Sequence, residues 1–579
     1  MRKNILTRAL AISLCAFAAV PAVACGGGSQ GEAIDHTRTQ IRMYHYNAGY
    51  GDKWPYELKE NFEALMADVS FEEGKKGVQV LISGDMVERT ADRWRAEHYD
   101  VLFLENPYEF YGMMKTGVVE PLDEIMETPS ATDANLQNVL MSIHTSDGNQ
   151  TIAEKMTQQQ RDAYTYDGHY YGIPHYAGHY GIIYNIDLFD QFGLYLAAEP
   201  DEDTGDILIS TTNPTKSVGP DGKTGVIDGV DYSADDGLPR TYDEFFDLCF
   251  EIDQKGIDPV CWPGYYANHH LTEFLENLIA NHEGAEQMNL NFTFDGMASN
   301  LIKFDNSGNM MYNDDGTPMV EVDPLKITED NGYELARQEG KYYAMKFIER
   351  LLTNKDYYNE ADGLGGTSHV EMQQKFLENG KLGIRQNAML VDGVWWQMEA
   401  DAVFERMTRE DEKWAKENRR FGWMPLPQAT EEEAEAIANG TKNTVYMDYL
   451  NAVACVKSGL TEPARNASMA FLKYAYSDEA LANFTYTTGT TIGVEYLDVI
   501  DYDKLTHYEQ TLMNYIKKSD FVSRFSDSEK LASNMKNFAG LTMYASTEPQ
   551  IFIAMTQNSM SAENYFKGHQ NAYKGLAWA

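Results

Sequence analysis

The sequence predicts an α/β protein built on largely parallel sheet, and three observations carry that expectation. Short apolar runs at Ile41–Tyr46, Val78–Ile82 and Asp100–Leu104 read as strands. A segment of helical spacing, Trp54–Met66, stands between the first two, and strand–helix–strand alternation at this spacing implies βαβ units. The chain has 579 residues, whereas a single core stops growing near roughly 250–300, so more than one folded unit is expected.

Each element has its own signal. Ile41-Arg42-Met43-Tyr44-His45-Tyr46 is followed by a Gly-containing turn, and Val101–Leu104 is continuously apolar, as a strand covered on both faces should be. Further helices are expected at Tyr242–Lys255, Leu271–His282, Tyr333–Leu352, His369–Asn379 and Ala464–Tyr476, with Asn379-Gly380 as a stop. Residues 196–240, rich in Gly, Asp, Pro and Thr, read as a long surface insertion. Asp305–Thr317 reads as the turns of a small hairpin. In parallel α/β sheets ligands bind beyond the carboxyl ends of the strands. The loops Asn47–Trp54, Ser83–Met86 and Glu105–Tyr108 therefore carry the site expectation.

The first residues point to export. Arg2, Lys3 and Arg8 precede the apolar run Ala9–Val20, and Ala22-Val23-Ala24 leads to Cys25. This is the order of a secretory signal, and the run is short for a permanent membrane span. Residues 1–24 are thus expected to be a signal peptide. Ala22-Val23-Ala24-Cys25 resembles a bacterial lipobox, which implies lipidation at Cys25, a flexible tether over 25–40 beginning Gly26-Gly27-Gly28-Ser29, and a place on the extracellular face of the cell membrane. Ordinary cleavage after Ala24 is the alternative. Beyond the signal no apolar stretch of about 18 residues follows.

The charge excludes several classes. A formal net charge of −42 opposes nucleic acid and anionic membrane surfaces and suits an uncharged ligand. Only Cys249, Cys261 and Cys455 follow Cys25; an odd, sparse count argues against a disulfide framework, and a Cys249–Cys261 bridge stands beside buried free thiols. No CxxC or HExxH run suggests zinc. Asp314-Asp315-Gly316 and Asp221-Gly222-Lys223 lack the full calcium-loop pattern, Gly363–Gly366 has no P-loop lysine, and Glu431–Glu435 reads as a solvated helix start. No metal, cofactor or catalytic group is expected.

Several pieces in order then resemble one family. They are Asn47–Trp54, Tyr171-Gly172-Ile173-Pro174, Tyr184-Asn185-Ile186-Asp187-Leu188-Phe189, Pro239–Phe245, Phe376–Lys381 with Gly393-Val394-Trp395-Trp396, Phe421–Pro427, and Ala452–Cys455 with Glu462-Pro463-Ala464. Together they resemble the family 1 extracellular solute-binding proteins of ABC importers, the maltose-binding-protein group, and in particular the lipid-anchored sugar binders of Gram-positive bacteria. The resemblance implies a two-lobed, type II periplasmic-binding-protein-like α/β fold with a hinge. Lobe one would hold 41–176 plus 450–510, and lobe two 177–449 plus 511–579. It also implies a monomer that binds a neutral mono- or oligosaccharide between the lobes, passes it to membrane permease subunits, and meets the membrane only through its lipid.

Neutral sugars offer apolar C–H faces and hydroxyls, which call for aromatic platforms and planar polar side chains. The candidate ligand residues are Tyr50 and Trp54 on the first loop, Glu105, Asn106 and Tyr108 after the third strand, and His175 and Tyr176 at the first crossing. On lobe two they are Trp262, Tyr265, Trp395 and Trp396. Core packing competes at Trp54 and Trp262, helix capping at Asn106. Adjacent tryptophans in an extended stretch face opposite sides, so one of Trp395 and Trp396 is expected in the core. Trp423 and His179 are weaker candidates. Two other functions stay open: a secreted glycoside hydrolase, which would need two carboxylates across the scissile bond, and capture of a peptide or organic anion, which should bring more arginines than Arg42, Arg89 and Arg385 near the cleft segments.

Overall fold

The computed structural model describes residues 32–45, 49–84, 90–105, 107–205, 207–209, 215–228, 230–379, 385–447, 452–523 and 551–568. Residues 1–31, Cys25 among them, and Asn106 lie outside the described residues, as do most of 524–579 and parts of the 196–240 segment.

The chain starts on strand β1 (Thr39–His45), helix α1 (Lys53–Leu65), β2 (Val78–Ser83) and β3 (Val101–Leu104). Helices α2 (Pro107–Lys115) and α3 (Ala134–Ser146) lead to the short β4 (Ile173–Pro174) and to β5 (Tyr180–Asn185). Next come α4 (Tyr242–Gln254), β6 (Asp258–Cys261), α5 (Ala267–Thr293), α6 (Glu339–Thr353) and α7 (His369–Glu378). The last third holds β7 (Asn387–Gly393), β8 (Phe421–Met424), β9 (Asn443–Met447) and β10 (Val453–Val456). It continues through α8 (Glu462–Ala475), α9 (Asp478–Thr488), α10 (His507–Lys517) and β11 (Ser519–Ser523).

Two mixed sheets organise these elements. The first runs β2-β1-β3-β10-β4. Its first three strands are parallel, with Met43 beside Ile82 and Val101, while β10 returns antiparallel from far along the chain. Every residue of β3 and β10 is buried, because helices cover both faces: α8 packs on β1 and α3, and α1 on α9. The second sheet runs β6-β7-β5-β8, with β6 parallel to β7 and β5 antiparallel to both its neighbours. A separate parallel pair, β9 and β11, lies on α5. Two lobes, each on its own sheet, are joined where β4 leads into β5 and where β9 leads toward β10. Among the described residues no helix is long and apolar enough to cross a membrane.

Local chemistry fixes the ends. Thr241 accepts the Glu244 N–H to cap α4. Ser368 and Glu371 form a reciprocal capping box on α7, which ends on Asn379 in the left-handed region. Two helices differ from expectation. The Leu271–His282 segment extends to Ala267–Thr293, bent where Gly284 adopts φ 73°. The Tyr333–Leu352 segment breaks before α6, where Gln338 takes ψ 135° and its fully buried amide holds Asn291 and the Gln287 carbonyl. Cys249, Cys261 and Cys455 are free and buried, so the open choice between bridge and thiols falls to thiols.

Candidate functional site: an aromatic seam between the lobes

The carboxyl end of β1 delivers Gly49 and Tyr50, and α1 starts immediately beyond them with Trp54 as its second residue. Opposite, β7 ends at Gly393 and turns through Trp395. Here the lobe-one pair Tyr50 and Tyr176 faces the lobe-two pair Tyr180 and Trp395, and the ring contact that crosses is Tyr50 with Trp395. Tyr50 stacks on Tyr176 with centroids 4.3 Å apart and lies 6.0 Å from Trp395. Tyr180, the first residue of β5, meets Trp395 edge-on at 5.2 Å and 89°. A Cβ on Gly49 would stand 2.1 Å from Trp395 Cδ1, and one on Gly51 2.7 Å from Met398 Cε. The seam is closed. Lys53 Nζ completes it with a 2.8 Å ion pair to Asp401 on lobe two.

The environment explains the electrostatics. Burial, and then the neighbouring Glu105 carboxylate, pushes the Tyr50 hydroxyl well above its ordinary range. Burial, with His45 nearby, drives His175 well below its own, so a neutral imidazole sits among Trp54, Phe103 and Phe484 at 4.8, 4.6 and 5.1 Å. His179, brought to about 3 by burial, packs on Trp423 at 5.3 Å.

The other candidates separate. Glu105 is half-buried beside Tyr50. Tyr108 belongs to the first turn of α2, and its side chain lies outside the described residues. Trp54 and His175 form the packing layer behind Tyr50 and Tyr176. Trp396 is fully buried against Phe376, Phe421 and Tyr508, so of the tryptophan pair Trp395 faces the other lobe. Trp262 is in the lobe-two core, its indole N–H donating to the Gly363 carbonyl at 2.8 Å and its rings on Tyr358. Tyr265 is 67% exposed, edge-on to Tyr266 at 4.7 Å.

Two features were not singled out from sequence. A cavity of about 770 Å³ lies between the lobes and includes Tyr176 in its wall, with Tyr164, Tyr496, Asn289 and Phe521 among its lining; Gln159 reaches across its edge to Asn289 at 2.8 Å. A polar cluster also adjoins the seam behind Tyr180, made of Asp392, Glu399, Gln373 and His270. Its members are scattered over 130 residues of chain, and only Asp392 gave a hint, as a charge at the end of the apolar run Ala388–Val391.

Among solved structures the chain is similar to a chitin oligosaccharide binding protein, 14% identical over 94% of this chain and 100% of that one, with a TM-score of 0.50. It also matches RafE in complex with raffinose (14% identical, 93% and 100% covered, TM-score 0.48). A third match is the GacH receptor of Streptomyces glaucescens GLA.O (15% identical, 93% and 98% covered, TM-score 0.48). The first likeness, over the whole of that chain, establishes the two-lobed type II solute-binding fold expected from sequence. No family profile matches the chain, and no curated protein does.

Proposed function

We propose that the protein captures a mono- or oligosaccharide outside the cell, between its lobes, and delivers it to the permease subunits of an ABC importer. The observation that carries this reading is the seam: aromatic rings from both lobes, Tyr50 and Tyr176 against Tyr180 and Trp395, pressed together at the point where the strands of both sheets end. Hinge opening at 175–179 would part these rings, and a sugar's apolar face would replace ring-on-ring contact on closing, which gives the ligand its differential affinity for the closed state. Trp395 is the platform in this account, and Glu105, beside Tyr50, an acceptor for hydroxyls.

The protein carries no chemistry of its own on this reading. Export and lipidation at Cys25 fit the basic start, apolar run and Ala-Val-Ala-Cys order. Mass spectrometry of the mature N-terminus should find a lipid-modified Cys25, and Cys25→Ala should release the protein from the membrane. A thermal-shift screen across oligosaccharides, dipeptides and organic acids tests the cargo, since a ligand of the folded state raises the melting point. Sugars should shift it and be recovered intact. Shifts with dipeptides or acids alone would refute the carbohydrate assignment, and cleaved sugar would refute the non-enzymatic one.

The cavity behind Tyr176 favours a second reading, because its volume suits a small ligand. Substitution separates the two: Trp395→Ala weakens binding on the first, Phe521→Ala on the second.

A further inference from the structure

The cluster next to the seam has more acceptors than donors. Gln373, fully buried on α7, spends both N–H groups on carboxylates, Asp392 Oδ2 at 3.1 Å and Glu399 Oε2 at 2.6 Å. Its own Oε1 is buried with no hydrogen-bond partner among the described residues. His270, 5% exposed at the start of α5, hydrogen-bonds the Val391 backbone, while its Nδ1 points at Asp392 Oδ1 from 4.0 Å, also without a partner. Burial keeps that ring neutral at ordinary pH, so Nδ1 is a lone-pair acceptor aimed at another acceptor.

No fixed cation answers these acids. Among the described residues, the ion-pair contacts of Asp392 and Glu399 are to histidines alone, His270 and His369. Other groups around the cluster include His269 on α5, Tyr180 on β5, Cys261 on β6 and Tyr508 on α10, none of them a lysine or arginine. Both carboxyl groups are held above their ordinary range, first by burial and, for Asp392, by the charge of Glu399. Keeping both ionised without a counter-ion is costly, so burial favours a proton on the pair until a cation takes its place, and the site has a way in: the Glu399 and His369 side chains are 25% and 34% exposed, under Tyr266 at 5.6 Å from His369. No group of three His, Cys, Asp or Glu among the described residues is arranged to hold a metal ion.

We propose that Asp392, Glu399, Gln373 Oε1 and His270 Nδ1 form a subsite for a protonated amine carried by the captured ligand, making it an amino-bearing saccharide. This rests on the sugar-capture reading above, and it replaces the uncharged sugar expected from sequence with one that carries a positive charge. An ammonium brings three N–H donors and a positive charge to a cluster of acceptors, where a hydroxyl brings a single donor. The rings of Tyr180, Tyr266 and Trp395 alongside suit a cation over aromatic faces.

The test is a calorimetric comparison of sugars matched in pairs that differ only by amine against hydroxyl: glucosamine and glucose, galactosamine and galactose, mannosamine and mannose, and the β-1,4-linked glucosamine trimer against cellotriose, with the N-acetylated trimer as an uncharged control. The amine member of one pair should bind roughly ten- to a hundredfold tighter, the scale of hydrogen bonds to charged groups. Glu399→Gln and Asp392→Asn should each remove that preference; Gln373 can still donate to the amide oxygens, and a melting point no lower than the parent's confirms the fold. Neutral members binding as well as or better than their amines, or a preference that survives both substitutions, would overturn the subsite while leaving sugar capture intact. No binding by any pair would overturn the subsite and sugar capture together.

Discussion

Gly49→Ala separates closure from folding. The alanine methyl would lie 2.1, 2.5 and 2.8 Å from Cδ1, Cγ and Nε1 of Trp395, where carbon contacts settle near about 3.5–4.0 Å. The obstructing atoms are the root of a 3% exposed indole wedged by Tyr50 and Tyr180, so the ring cannot swing aside cheaply, and the seam must part by about 1.5 Å or more. Overpacking of this kind costs typically 1–3 kcal/mol. Because the contact joins the lobes and not the inside of either, that cost falls on the closed arrangement alone. It is a roughly 5- to 150-fold shift toward open forms. Small-angle scattering of the ligand-free variant should show a larger radius of gyration than the parent, while the circular dichroism melt of each lobe is nearly unchanged. An identical scattering curve for parent and variant would refute the reasoning, as would a variant that fails to fold.

Four further substitutions test other parts of the structure. Trp395→Ala should weaken sugar binding about ten- to a hundredfold in titrations and leave stability nearly intact, while Trp396→Ala should cost about 3–5 kcal/mol in urea unfolding, as a fully buried indole does. Lys155, fully buried, pairs with Asp147 and Asp478 at 2.9 and 2.7 Å and donates to the Tyr476 carbonyl; Lys155→Ala strands the Asp147 carboxylate in the core and should cost about 3–5 kcal/mol, read as a lower denaturation midpoint. His282 lies between Glu339 and Glu433 at 3.5 and 2.7 Å; burial opposes its charge, but the two carboxylates prevail and raise it to about 10. A raised folded value means stability fully present below pH 6.5 and lost as pH climbs toward 10, so His282→Gln should flatten the unfolding free energy across that window. An unaltered slope there would show that the pair contributes nothing.

Much of the fold was written in local pattern. The strands at 39–45, 78–83 and 101–104 and the helix at 53–65 begin and end within about two residues of their signals, because alternation, Gly turns and polar caps act over a few residues. What sequence could not supply was long-range. The break at Gln338 exists because its amide is needed by Asn291, 47 residues away, and a helical pattern carries no trace of that. The site divides in the same way. The extended stretch expected at Trp395-Trp396 is not formed, because β7 stops at Gly393, Trp395 is already in the αR region and Trp396 begins a helical turn; which tryptophan lies in the core is decided by Phe376, Phe421 and Tyr508 closing over Trp396. Sequence leaves Trp262 open between platform and core, and it is a core residue because its rings pack on Tyr358 and the Gly363 carbonyl takes its N–H. Beyond the lone charge of Asp392, the acid cluster leaves no sequence signal, because α5, α7 and β7 must first converge.

The central claim is that the lobes part along Tyr50, Tyr176, Tyr180 and Trp395 to admit a sugar. A crystal structure of the protein with the saccharide that most raises its melting point tests this directly. The account predicts a sugar ring lying on Trp395 with Tyr50 lifted from its present contact. Electron density for the sugar in the cavity beyond Tyr176, with the four rings still touching, would contradict it.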